Sequence, residues 1–433
     1  MSSDADFERQ VRRNYRHNFI VNALDGTFFW CGSSFIASTT ILPLYVSHLT
    51  DSKLALGILS MIAGMGWLAP QLFTANWVQR LPRKKVLPVN VGLFSERLPV
   101  VLLAPTTLLL AARFPTLALV VFFVLFTWHA VGAGMIAVAW QEMIGKIIPP
   151  DRRGLFFGVT NFGGTATGVL GATAVAWVLD RYSFPQGYVF SFAAAAISIL
   201  ISWTFLALAR EPAQESREVL SQREYWHRLP SVLRSDPNFG RYLLSRIVIA
   251  LSGMASGFVT VYAVQRWGLS DGQAGSFTTS MLLGQAVSNL ALGPLADRKG
   301  HKLVLEISVL LGTLAMGLAA VAPHHAWFYV VFALLGAMVA SFLLSGLMIA
   351  LEFGSPEIRP TYIGLNNTVS GIAGGVAPLV GGWLARAIGY RALFLAAFAI
   401  GLAGVAMLRW LVREPRHAHA REHAHAVERA EEA

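Results

Sequence analysis

The chain of 433 residues is a succession of about twelve apolar stretches, each close to twenty residues long, separated by short charged turns. A bilayer's hydrocarbon core is about 30 Å thick and takes roughly 20 apolar residues in helix to cross, because every backbone N–H and C=O inside it must be answered within the segment. Composition agrees, with 55% hydrophobic residues against 13% charged and a mean hydropathy of +0.55. The pattern predicts an all-α, polytopic membrane protein of twelve spans in two six-helix bundles. The first six fall near 18–47, 55–79, 86–112, 116–147, 154–179 and 187–209, the second six near 239–265, 272–296, 303–322, 326–353, 360–385 and 389–411.

The opening stretch MSSDADFERQVRRNYRHN mixes acids and bases and runs into a long span without a small-residue cleavage site, so the first helix is expected to remain in the mature protein. Cys31 is the single cysteine, which excludes an intramolecular disulfide and a thiolate metal cluster. The net charge of +10 would suit a nucleic-acid partner if it were clustered. It is sorted by side instead. With both termini inside, only Lys53, Arg113, Arg181, Arg266, Arg386 and Arg391 fall outside, Arg97 and Arg246 fall within spans, and the rest of the 34 basic residues lie on the inner side. That asymmetry is the positive-inside rule, and it predicts cytoplasmic termini, a plasma-membrane location and no nucleic-acid partner.

One long charged connection, REPAQESREVLSQREYWHRLPSVLRSDPNFGR, divides the chain. The expected organisation is a cytoplasmic segment 1–17, a bundle 18–209, a linker 210–238, a bundle 239–412 and a cytoplasmic tail 413–433. The halves repeat each other. One constant offset lays Gly57 on Gly275, Arg80 on Arg298, Lys84 on Lys302, Val86 on Val304 and Leu87 on Leu305; a second lays Pro150 on Pro356, Arg153 on Arg359, Gly158 on Gly364 and Asn161 on Asn367. Parallel duplication of an even number of spans points to alternating access, in which two bundles rock about a site near the midplane.

The turn GPLADRKGHKLVL carries Gly293, Leu295, Ala296, Asp297, Arg298, Gly300 and Lys302 in the order of the signature of the major facilitator superfamily, which the chain resembles over residues 18–412. The first-half copy departs from it, with Ala75, Gln79 and Pro82 where the pattern has Gly, Asp and Gly. The resemblance implies a secondary transporter whose inner gate is latched by such turns. LEFGSPEIRP is similar to the Glu and Pro-Glu-x-Arg at the inner end of the superfamily's tenth span, which implies a gating cluster of Asp297, Arg298, Gly300, Lys302, Glu352 and Arg359. Arg80, Glu142 and Arg153, with Arg152 beside it, occupy similar places in the first half. The alternative is that these charges only solvate turns and set topology; gating is the favoured reading.

Ionisable residues within spans are costly and are functional candidates by default. Asp25 lies near mid-depth in the first span, where burial lets a carboxylate take and release a proton; a structural hydrogen bond is the alternative. Glu96 and Arg97 fall mid-span in the third helix. Adjacent residues point about 100° apart on an α-helix, so they are not expected to face one partner squarely. Third helices in the superfamily are peripheral supports, which favours a packed ion-pair network over a direct part in transport; in either case the charges face protein. His129 on the fourth span suits a proton relay or a hydrogen-bonded structural role. Arg246 in the seventh either attracts an anionic substrate or pairs with Asp25 or Glu142. Gln285 and Asn289 share a face of the eighth span, and Asn366 and Asn367 begin the eleventh; these are neutral substrate-contact candidates.

The runs NFGGTATGVLGA and SGIAGGVAPLVGG lack the Lys-Ser/Thr ending of a phosphate loop and read as close-packed helix faces. Pro378, Gly381 and Gly382 in the second resemble an antiporter pattern of the superfamily, but in the eleventh span rather than the fifth. The tail histidines 417, 419, 423 and 425 suit weak metal binding or a solvated tail.

The expectation is therefore a proton-coupled transporter of a small organic solute, with Asp25 as the coupling carboxylate and export favoured over uptake. An uptake permease or uniporter for a polar metabolite and a transport-inactive scaffold or sensor are the alternatives. Neither an enzyme nor a cofactor is expected; the partners are the solute, protons and the lipid bilayer, and the protein is expected to be a monomer.

Overall fold

The computed structural model describes residues 2–149, 152–213, 236–353 and 359–414, and the described helices follow the expected order of six and six. In the first half they are α1 (Ser2–Phe35) and α2 (Ile41–Leu49), which together make the first crossing, then α3 (Lys53–Gln79), α4 (Leu98–Leu110), α5 (Pro115–Ile147), α6 (Arg153–Arg181) and α7 (Gln186–Ala207). The second half has α8 (Pro237–Ser252) and α9 (Val259–Trp267) as one crossing, then α10 (Asp271–Lys299), α11 (His301–Val321), α12 (Trp327–Glu352), α13 (Arg359–Ile388) and α14 (Tyr390–Leu411). Among the described residues, 9 helical stretches are long and apolar enough to cross a membrane. The first crossing, α10 and α12 complete the set: α1 carries a charged first half, α10 is rich in Ser, Thr, Gln and Gly, and α12 is apolar over the shorter stretch Trp327–Ser341.

The segment 1–17, expected to precede the first span, is continuous helix with it from Ser2 onward. Both leading crossings are broken at matching depth, at 36–40 in the first half and by a 3-10 turn, Gly253–Phe258, in the second. The helix starts are capped as their sequences allow. Ser270 and Gln273 form a reciprocal capping box on α10, and the Asp236 carboxylate accepts from the Phe239 N–H (2.9 Å) on α8.

Within the first half α1 packs on α6 and α7, α3 on α5, and α4 on α5 and α7; within the second α10 packs on α12, α11 on α12 and α14, and α8 on α13 and α14. The halves join through α3 with α13 and α6 with α10. These are the second and fifth crossings of each half, paired reciprocally, as a pseudo-twofold axis demands. Small residues permit the approach: a Cβ on Gly57 would lie 2.6 Å from the Pro378 carbonyl, and one on Gly272 would lie 2.5 Å from that of Ala176.

The cores show where the molecule is closed. At the end away from the basic turns, one continuous apolar cluster runs through both halves, from Ile41, Tyr45 and Phe192 to Phe258, Phe277 and Phe394. Toward the basic end the packing separates into a cluster around Phe239, Tyr242 and Phe353 in the second half and others around Met143, Phe156 and Val78 in the first. Hydrogen bonds tie the halves together at the closed end: His48 to Asp271 (2.5 Å), Tyr188 to Asp271 (2.9 Å), Ser270 to Asp180 (2.8 Å), Thr40 to Thr278 (2.6 Å) and Lys53 Nζ to the Ala385 carbonyl (2.9 Å).

At the basic end each half carries the same clasp. Asn18 Nδ2 donates to the Arg210 carbonyl (2.9 Å) while its Oδ1 accepts from the Arg210 N–H (2.8 Å); Asn238 Nδ2 donates to the Arg413 carbonyl (3.1 Å) while its Oδ1 accepts from the Arg413 N–H (2.8 Å). A glutamate follows in both. Glu211 accepts from the N–H groups of Lys84 (2.9 Å) and Lys85 (2.7 Å) and from Lys146 Nζ (2.8 Å). It thereby places an anion on the amino end of the third crossing, where the helix dipole favours one. Burial pushes the Lys85 amine below its ordinary value while Glu211 opposes that shift. Glu414 lies beside Gly300, the residue between α10 and α11, whose φ of 97° and ψ of 155° fall in a region that only glycine occupies comfortably. Gly300→Ala is expected to cost about 1–3 kcal/mol through that strain. A lowered thermal midpoint in detergent, with no fall for Gly293→Ala, is the check, since a Cβ on Gly293 meets nothing within 4 Å.

Candidate functional site

Among the described residues, the ionisable candidates within the spans gather at a site in each half. The first begins with an irregularity. Residues Leu87–Val91 and Leu93–Arg97 form two π-helical turns ahead of α4. Pro99 has no N–H to donate, which removes one i→i−4 bond at the end of these turns. Gly132 on α5 lets that helix press directly on the Ser95 carbonyl. Within these wider turns Glu96 and Arg97 are both buried (2% and 3% exposed) and ion-paired with each other, as the packed ion-pair reading expects.

Around that pair the structure gathers the other ionisable candidates of the first half. His129 Nδ1 lies 2.8 Å from the Glu96 carbonyl oxygen. Asp25 is 4% exposed; its Oδ1 accepts from Ser202 Oγ (2.6 Å) and its Oδ2 from Trp140 Nε1 (3.3 Å). Arg97 is near enough for its charge to act on both Asp25 and His129. The cluster therefore draws on α1, the π-turns, α5 and α7, and sets two carboxylates, Asp25 and Glu96, against one guanidinium. Ser202 and Trp140 were not singled out by sequence, because a serine or tryptophan in an apolar span carries no signal of which neighbour it meets.

The second site is a cavity of about 300 Å³ within the other half, lined among others by Arg246, Asn366, Asn367 and Ser370. Arg246 is 6% exposed and its Nε donates to Ser370 Oγ (3.1 Å); the Tyr242 hydroxyl donates to Asn366 Oδ1 (3.2 Å). Leu68 of α3 reaches in from the first half. Of the two partners considered for Arg246, Asp25 bonds Ser202 and Trp140, while Glu142 lies 3.5 Å from Lys84. Gln285 is half-buried and Asn289 exposed on α10, and neither lines this cavity.

The gating candidates occupy the basic end. Arg298 is exposed and, with Lys299, Lys302, Glu306, Arg409 and Glu414, lines a cleft of about 470 Å³. Lys302 pairs with Glu306 at 2.9 Å, as its repeat counterpart Lys84 pairs with Glu142. Arg80 is exposed, and Arg153 donates to the carbonyls of Ile148 (3.2 Å) and Gly145. Glu352 ends α12, half-buried. The side chains of Asp297 and Arg359, the linker 214–235, Pro150, Pro356 and the tail histidines lie outside the described residues.

The family model described as Major Facilitator Superfamily matches residues 26–265 and again 242–431. The chain belongs to the Major Facilitator Superfamily. Solved structures of this family superpose along most of its length: a variant of the nucleoside transporter NupG with a TM-score of 0.72 at 12% identity, covering 91% of this chain and 100% of that one, and a D-xylose-proton symporter with 0.68 at 15%, covering 92% and 98%. Among curated relatives, a gallate transporter of Pseudomonas putida is 28% identical over 159 residues, 36% of this chain and 35% of that protein. The 4-hydroxybenzoate transporter PcaK of Pseudomonas aeruginosa is 38% identical over 72 residues, 16% of each chain. The niacin transporter NiaP of Acinetobacter baylyi is 26% identical over 138 residues, 32% of this chain and 31% of that one. The chain thus matches about a third or less of these relatives' length. All five are transporters by name, not enzymes, and the superfamily fold agrees with the resemblance carried by residues 293–302.

Arg97→Gln leaves the Glu96 carboxylate without its partner and is expected to cost about 3–5 kcal/mol. Thermal unfolding of Arg97→Gln and of the double variant Glu96→Gln/Arg97→Gln checks this: the double variant recovers a large part of the loss.

Proposed function

We propose that the protein is a secondary transporter of a small organic anion, an aromatic carboxylate in the first instance, that takes up its substrate together with a proton by alternating access. The observation that carries the reading is Arg246, a buried guanidinium that lines a cavity of transport-site size together with the amides of Asn366 and Asn367 and the hydroxyl of Ser370. A carboxylate answers such a group through charge-assisted, bidentate hydrogen bonds. Gallate, 4-hydroxybenzoate and niacin, the cargoes in the relatives' names, are all ring carboxylates of a size suited to about 300 Å³.

The proton follows from charge balance in the other half. Two carboxylates against one guanidinium leave the first-half cluster one negative charge over, which is expensive in a low-dielectric interior. One proton removes it. Glu96 is bound to Arg97, so Asp25 is the group that takes the proton, as its depth in the first span suggested. Anion in one half and proton in the other argue for symport and uptake over the export that the sequence favoured.

With both termini and the linker cytoplasmic in a plasma membrane, the structure corresponds to a carrier closed outside. The bundles 18–209 and 239–412 then rock about the seam of α3 with α13 and α6 with α10. His48 with Asp271 latches the outer end, and Arg80, Lys84, Glu142, Arg153, Arg298 and Lys302 serve the inner one.

Uptake of radiolabelled 4-hydroxybenzoate by proteoliposomes tests this. An inward proton gradient is expected to drive accumulation, and a sodium gradient is not. Arg246→Gln is expected to lower uptake by about tenfold or more, the worth of a hydrogen bond to a charged group. Asp25→Asn is expected to retain exchange of substrate across the membrane while losing gradient-driven accumulation. Undiminished uptake by Arg246→Gln sinks the anion site, and accumulation by Asp25→Asn sinks the proton assignment.

A further inference from the structure

We infer that the exchangeable proton binds Oδ1 of Asp25, where Ser202 receives it, while Trp140 keeps Oδ2 as the carbonyl oxygen; Ser202 and Trp140 are thus positioning residues for coupling. The inference rests on the reading of Asp25 as the proton carrier.

The two donors on Asp25 differ in kind. The Trp140 indole N–H can only donate, so an O–H on Oδ2 would point one hydrogen at another. The Ser202 hydroxyl donates or accepts. It can turn away from Oδ1, accept from a new Oδ1–H, and send its own hydrogen elsewhere.

An acceptor for that hydrogen is available from helix geometry. Ser202 sits in α7, where a hydroxyl can bond the carbonyl one turn back, here that of Ser198. Thr204 on the same helix makes this bond, to the Leu200 carbonyl at 2.9 Å. In the proton step one O–H bond forms at Oδ1 and the Ser202 hydrogen bond reverses. The Trp140 N–H keeps its bond to Oδ2 throughout.

The surroundings do not offer the proton another resting place on this carboxylate. From the third crossing Arg97 acts on Asp25 as a positive charge and Glu96 is ion-paired with it. From α5 come Trp140 and His129, the latter at the Glu96 carbonyl. On α1, Asn22 lies one turn before Asp25 and donates its Nδ2 to the Asn18 carbonyl (2.7 Å); on α6, Thr160 abuts Gly26.

Difference infrared spectroscopy of the reconstituted full chain across a pH step tests the assignment. A carboxylic C=O band is expected in the wild type and absent in Asp25→Asn. Trp140→Phe removes the donor from the carbonyl oxygen and is expected to raise the band's frequency. A band that stays in place in Trp140→Phe overturns the placement on Oδ1. No Asp25 band at all overturns instead the reading of Asp25 as the proton carrier.

Ser202 supplies a second readout if Trp140→Phe does not fold. Ser202→Thr keeps the hydroxyl and is expected to preserve the pH profile of uptake. Ser202→Ala loses a bond in each protonation state, and the bond to the charged carboxylate is the stronger. Its profile is therefore expected to move to the alkaline side by on the order of one pH unit. An unchanged profile in Ser202→Ala overturns the role of Ser202.

Discussion

A hydrocarbon slab solvates neither a charge nor an open backbone group, so every polar atom carried into it has to be answered by protein. The structure follows from that constraint at each level. Helices form because they satisfy their own amides. The charges that enter with them, Asp25, Glu96, Arg97 and Arg246, turn inward to buried partners. Where charges are concentrated, at the basic end, they sit on turns and clasp chain ends to helix starts, as Glu211 does on the amides of Lys84 and Lys85.

Duplication has kept structural devices and let chemistry diverge. The break in the leading crossing, the asparagine that brackets an arginine backbone and the glutamate after it all occur in both halves. The polar sites do not match. The first half holds an acid-rich cluster sealed within one bundle, and the second holds a guanidinium open to a cavity that α3 helps to line. Opposite charge in opposite halves is the asymmetry on which the proposed coupling of an anion with a proton is built.

Much of the fold was legible because length and hydropathy act locally: crossing order, the φ-positive turn at Gly300 and the halves' equivalence all stand in the text of the chain. The site was legible only as a set of separate suspects. Asp25, Glu96, Arg97 and His129 were each visible as costly residues in apolar spans, but their meeting depends on how four helices rotate about their axes, which apolar faces alone do not determine. The π-turns hid for a related reason. The ion pairing of Glu96 and Arg97 was expected, but a regular step of about 100° per residue was assumed for the stretch, although Pro88 and Pro99 marked it as irregular. The Arg-Glu-Pro that ends each half was in plain view at 210–212 and 413–415, and comparing those two ends would have revealed the clasp.

The seam between the halves has a mechanical character set by its glycines. At Gly57 one helix rests on the backbone of another, at the Pro378 carbonyl and Gly382, with no side chain reaching across at that point. Interlocked side chains must change rotamer before they part, and each such change adds friction. A backbone-on-backbone bearing has nothing to withdraw there, so the two bundles can tilt against each other while their own cores stay packed.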